Sequence, residues 1–188
     1  MIRLSGTTST IIKYRPVKEI ALIGLLSAFN IASRIGLQAL PNVKPVTSII
    51  ILCVILFGLD FAFKVTVVTT VVSNIFLGMG IWTFFQILAW FVICILTEIL
   101  VRLFHIREAK PHYMLMACFS FVMGYVFGFV VSLDQFLIGG LGLFIPYYLN
   151  GLLFDTFHAV GNFFFYLMLA PILYKIFEKD VKKSEQYH

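Results

Sequence analysis

The sequence predicts an all-α integral membrane protein: one membrane domain over residues 1–188, a bundle of six transmembrane helices with both termini cytoplasmic. Three observations lead there. Hydrophobic residues make up 61% of the chain and charged residues only 12%, with a mean hydropathy of +0.99; soluble domains carry about 45–50% apolar and about 25% charged residues. The apolar residues form long runs separated by short polar joints, which predicts helices at about 19–37, 46–60, 64–78, 84–104, 113–133 and 147–174. The basic residues are also uneven. With the N-terminus inside, Arg3, Lys13, Arg15, Lys18, Lys64, Arg102, Arg107, Lys110, Lys175, Lys179, Lys182 and Lys183 fall at cytoplasmic ends, and only Arg34 and Lys44 at the other. Twelve against two is the positive-inside pattern. Strands should be negligible, because backbone in lipid must satisfy its own hydrogen bonds.

The first run follows a polar, basic stretch and is too long for a signal-peptide core, so it is expected to stay in the membrane. It carries Gly24, Ala28, Ala32 and Gly36 at four-residue spacing. Small residues on one stripe let another helix approach closely, inside the bundle or on a partner subunit. Arg34 sits one turn below the outer end with Asn30 one turn deeper. There it snorkels to the surface, pairs with Asp155, or meets an anionic ligand group.

A rigid polar island follows, Leu40-Pro41-Asn42-Val43-Lys44-Pro45-Val46-Thr47. The second and third runs are short for a perpendicular crossing, and Asp60 and Lys64 are read as a tight turn between them. Asn74 adds an amide near the outer end of the third. A second island, Gly78-Met79-Gly80-Ile81-Trp82-Thr83-Phe84-Phe85-Gln86, leads into the fourth run. There Trp82, Gln86 and Trp90 recur one turn apart, as a cavity wall or, for Trp82, an interfacial belt residue. Glu98 and Arg102 are spaced as a structural i,i+4 pair.

Gly124 and Gly128 repeat the small-residue device in the fifth run. Residues 134–146, with Gly139-Gly140-Leu141-Gly142, are read as an apolar loop, either a mobile lid or a plain connection. In the last run Gly151, Asp155, His158 and Asn162 share one stripe, extended outward by Tyr147. The stripe is a polar seam between helices or one wall of a binding site.

Other chemistries find no support in the residues. The sequence has no G-x-x-x-x-G-K-[ST] phosphate loop, no H-E-x-x-H and no G-x-S-x-G, so neither catalytic nor metal-ligating residues are assigned. Cys53, Cys94 and Cys118 lie inside apolar runs and read as small buried residues rather than disulfides. The net charge of +5 is scattered over loop ends, which suits anionic headgroups and not a nucleic acid.

The two islands carry a resemblance. Pro41-Asn42-Val43-Lys44-Pro45-Val46-Thr47 is similar to a P-N-x-x-P-V-T motif. Ser73-Asn74, Gly78, Gly80, Trp82-Thr83, Gln86 and Trp90 match S-N-x-x-x-G-x-G-x-W-T-x-x-Q-x-x-x-W. With six short helices and a small-residue stripe in the first, the chain resembles the substrate-binding S-components of energy-coupling factor (ECF) vitamin transporters, in the subgroup that includes cobalamin-specific members. The resemblance implies a multi-pass protein of a prokaryotic plasma membrane that is not itself an enzyme. It would capture a vitamin from outside, cobalamin by first preference, and hold no permanent cofactor. Pantothenate or a queuosine precursor is the alternative cargo. Partners would be an EcfT-type transmembrane coupling protein, docked through Gly24, Ala28 and Ala32, and two cytoplasmic ATPase subunits that alone bind ATP. Expected ligand-binding residues are Arg34, Asn42, Lys44, Thr47, Asn74, Trp82, Gln86, Trp90, Tyr147, Asp155 and His158. A stand-alone proton-coupled secondary transporter using Asp155 and His158, and a membrane-embedded enzyme, are the competing classes.

Overall fold

A computed structural model describes residues 11–12, 14–106 and 112–185, with side chains as far as Phe177. Arg3, Lys13, Arg107 and Lys110, and the side chains of Lys179, Lys182 and Lys183, lie outside the described residues. Five helices form: α1 Pro16–Gly36, α2 Val46–Phe57, α3 Leu59–Leu77, α4 Ile81–Leu103 and α5 Tyr113–Glu185. No strand occurs among the described residues.

The count of five, not six, arises because the last two runs form one helical stretch of 73 residues. Straight, it would extend about 110 Å. Instead its backbone leaves helical angles at Gly139 and Gly140 alone and doubles back. Gly140 takes φ 61 and ψ −158, a region open in practice only to glycine. The limbs then run antiparallel, with Gly124 against Ala159, Gly128 against Asp155, and Asn162 Nδ2 donating to the Ser120 carbonyl at 3.3 Å. The expected loop over 134–146 is therefore wrong: its residues continue both limbs, and aromatic pairs such as Phe136–Phe144 zip the tip together. Gly124 and Gly128 serve this close approach inside the chain.

The expected turn at Asp60 and Lys64 also moves. The chain reverses at Gly58, whose φ of 89 favours glycine, and α3 starts at the next residue. Asp60 and Lys64 sit in the first turns of α3 and pair with each other at 2.6 Å; Lys64 also reaches Glu19 of α1 at 2.9 Å. The gained residues make α3 long enough to cross a membrane, as α1, α4 and α5 are. Helix α2, at 12 residues, is not. It is instead the central post: all twelve of its residues are buried, and it packs against each of the other four helices.

Polar and apolar residues are distributed inside out. Ser27 and Asn30 of α1 and Thr66, Thr69, Thr70 and Ser73 of α3 are fully or almost fully buried. Leu25, Phe29, Ile75, Phe76, Phe164 and Met168 are among the many large apolar side chains left exposed. A surface of this kind suits lipid, compatible with a multi-pass membrane protein. Of the cysteines, Cys53 and Cys94 are buried as expected, whereas Cys118 is exposed on the outer side of α5, because an apolar helix here can face lipid.

Candidate functional site

Helices α1 and α3 run parallel: Ser27 lies opposite Val65, and Arg34 opposite Asn74. The connections 37–45 and 78–80 and the tip at 139–140 therefore share one end of the bundle. A cavity of about 250 Å³ opens there, and Arg34, Asn42, Lys44, Asn74, Trp82, Gln86, Trp90 and His158 line it. These are eight of the eleven ligand-binding residues expected from sequence. Gln38, Val46, Leu77, Gly78 and Phe127 complete the wall.

Two hydrogen-bonded nodes build it. In the first, Arg34 Nη2 donates to Asn74 Oδ1 at 3.0 Å and to Gln86 Oε1 at 3.1 Å. Asn74 Nδ2 donates to Gln86 Oε1 at 3.0 Å and to Thr83 Oγ1 at 2.9 Å. The three side chains come from α1, α3 and α4, so the node ties these helices together. Of the three roles open to Arg34, pairing with Asp155 is not what forms, and the residue is only 6% exposed, so it does not snorkel.

In the second node Trp90 Nε1 donates to Thr47 Oγ1 at 3.0 Å, and Thr47 Oγ1 meets His158 Nε2 at 2.9 Å. Indole is only a donor, so the threonine oxygen accepts from it. Between Thr47 Oγ1 and His158 Nε2 the donor is set by the tautomer of the ring, since the threonine oxygen has a second lone pair. Phe127 stacks on His158 with centroids 5.0 Å apart and packs 4.7 Å from Trp90. The Arg34 guanidinium lies 5.2 Å from the Trp90 ring and joins the two nodes. Thr47 thus supports the cavity from behind rather than lining it.

Two expected residues stand apart. Tyr147 is 48% exposed on the outer side of the hairpin, and Asp155 packs against Gly128 within it; neither lines the cavity. The stripe on the last run divides: His158 serves the cavity, while Asn162 pins the hairpin, its carbonyl accepting from Ser48 Oγ at 2.9 Å. On α1, Gly24, Ala28, Ala32 and Gly36 are all exposed, and a Cβ built at Gly24 or Gly36 would touch nothing within 4 Å. Among the described residues that stripe makes no internal contact. Glu98 accepts from Arg102 at 2.7 Å, the expected local pair.

The cavity's charge is one-sided. Arg34 and Lys44 line it without any carboxylate. Burial and the charge of Arg34 push the half-buried Lys44 ammonium below its usual range. Among the described residues no group of three or more His, Cys, Asp or Glu gathers where a metal ion could be held. Gln38 and Phe127 were missed from sequence. Gln38 follows Arg34 by one turn, a usable signal, whereas nothing in the apolar fifth run distinguishes Phe127. The chain matches no family model, no curated protein and no solved structure.

Proposed function

We propose that this protein is the membrane-embedded substrate-binding subunit of an importer, of the kind the ECF S-component resemblance implies, and that it captures a small vitamin or vitamin precursor. The observation that carries the reading is convergence. Residues of two islands far apart in sequence, Asn42 and Lys44 from one and Asn74, Trp82, Gln86 and Trp90 from the other, meet around one cavity with Arg34 and His158. A concave site with a few convergent polar groups on an apolar wall is the usual form of a small-ligand site.

The size of the cavity favours the smaller of the expected cargoes. Clefts for drug-sized ligands measure about 300–1,000 Å³, and this one measures about 250 Å³. Pantothenate or another small precursor suits that volume; cobalamin, several times larger than a drug-sized ligand, would enter only if the bundle end opened. The exposed stripe of Gly24, Ala28 and Ala32 supports docking of a transmembrane coupling protein, with ATP hydrolysed on two separate cytoplasmic subunits. The proton-coupled alternative is less well supported, since Asp155 and His158 face different neighbours, Gly128 and Thr47.

Calorimetric titration of the purified protein in detergent with cobalamin, pantothenate and a panel of small vitamins tests the proposal. Saturable binding without any partner is expected, and silence across the panel refutes it. Introducing Ala28→Trp with Ala32→Trp should abolish uptake in cells and leave that binding intact. Uptake that survives inactive partner ATPases and collapses with a proton uncoupler would transfer the function to the secondary-transporter class.

A further inference from the structure

Arg34 and Lys44 bring two positive charges to one cavity, and neither carries an ion pair among the described residues. Arg34 Nη2 is engaged by two neutral amides, but Nη1 is buried and has no hydrogen-bond partner. Lys44 is held between Pro41 and Pro45 on a connection that leaves it half-buried beside Arg34. Like charges lining one cavity repel one another, and partial burial makes the repulsion stronger than at a surface. The Trp90 ring face offsets part of this for Arg34. Among the described residues no ion pair or ring contact offsets it for Lys44. The acidic residues nearest this end, Asp134 and Asp155, lie within the hairpin and do not line the cavity. A site that is cationic, uncompensated and open to one end of the bundle is complete only with an anion in it.

We infer that the cavity takes a small organic carboxylate, its anionic group held between Arg34 and Lys44 and its uncharged body against the Trp82–Trp90–Phe127 wall. This rests on the binding-subunit reading above and narrows it to a ligand class. A guanidinium and an ammonium bind a carboxylate through charge-assisted hydrogen bonds, about twice as strong as neutral ones. A neutral analogue of the same shape leaves both cations unmatched, so the acid should bind at least about tenfold more tightly than its neutral partner.

The chain provides its own reporter. It has two tryptophans, Trp82 and Trp90, and both line the cavity. Intrinsic fluorescence of the purified protein in detergent is titrated at fixed ionic strength with three matched pairs: nicotinate and nicotinamide, pantothenate and pantothenol, biotin and biotinamide. We expect a saturable fluorescence change with at least one acid, at least tenfold weaker with its neutral partner. In Lys44→Gln, a substitution on a connection that does not disturb helix packing, most of that preference should vanish. Arg34→Gln is the second variant, scored only if its unfolding midpoint matches that of the parent protein. A neutral member that binds as tightly as its acid overturns the carboxylate assignment and leaves the binding-subunit reading standing, as does a tight neutral vitamin such as cobalamin with no acid bound. A preference undiminished in Lys44→Gln overturns the placement of the anion. Silence with every pair and with the full vitamin panel overturns both readings.

Discussion

Replacing Thr47 by valine removes one oxygen from the centre of the second node and almost no volume. In the parent protein that oxygen accepts from Trp90 Nε1 at 3.0 Å and lies 2.9 Å from His158 Nε2. Thr47, Trp90 and His158 are 0%, 3% and 6% exposed, so little solvent reaches the atoms that lose their partner. The substitution strands the Trp90 indole N–H and His158 Nε2. A stranded buried polar group costs about 1–3 kcal/mol in water-soluble proteins, whereas hydrogen bonds between membrane helices average about 0.6 kcal/mol and reach about 1.7. Two bonds valued between these limits give a destabilisation of about 1–3 kcal/mol, with no cavity contribution because valine fills the same space. For a chain of this length that corresponds to a fall of roughly 3–10 °C in unfolding midpoint. Thermal unfolding in detergent, followed by tryptophan fluorescence, measures it. The emission maximum of the folded protein should also move, since the Trp90 indole loses its acceptor. Thr47→Ser keeps the oxygen and should leave emission unchanged, losing only the packing of one methyl group. A Thr47→Val protein that unfolds within about 1 °C of the parent, or a serine variant that shifts emission as valine does, refutes the account of the node.

Gly124→Ala should part the limbs of α5, because its new Cβ would stand 2.6 Å from the backbone of Ala159; overpacking of this kind costs about 1–3 kcal/mol, and Gly151→Ala, with nothing within 4 Å, is the neutral control in the same melt. Gly140→Ala should destabilise by about 1–3 kcal/mol, the cost of its glycine-only angles, while Gly142→Ala two residues on, with open space around it, should not. Gln86→Ala removes the acceptor shared by Arg34 Nη2 and Asn74 Nδ2; ligand affinity by fluorescence titration should fall at least about tenfold with normal expression, and unchanged affinity would displace the cavity as the binding site.

Much of this was legible because polar residues are scarce in an apolar chain, and each must therefore be placed. Arg34, Asn74 and Gln86 sit near the ends of their runs at the same expected depth, and the structure joins them directly. What failed were boundaries set by backbone rather than by polarity. Gly58 reverses the chain with no polar residue beside it, so Asp60 and Lys64 drew attention to the wrong turn. Gly139-Gly140-Leu141-Gly142 looks like a loop by composition, but two residues suffice for the reversal and aromatic pairing keeps the rest helical. Tyr147 and Asp155 share a helix with His158, yet the partner limb fixes which of them faces the cavity. Whether the α1 stripe packs inward or outward likewise depends on neighbours that the stripe itself does not specify.

The brevity of α2 also changes how deep the barrier is. Twelve helical residues measure about 18 Å, against about 30 Å for the hydrocarbon core of a bilayer. The cavity sits directly on the first turn of this post, at Val46 and Thr47. Under the importer reading proposed above, a ligand seated there would stand on a wholly protein-wrapped column shorter than the hydrocarbon core, and its onward passage would require that column to part from its neighbours.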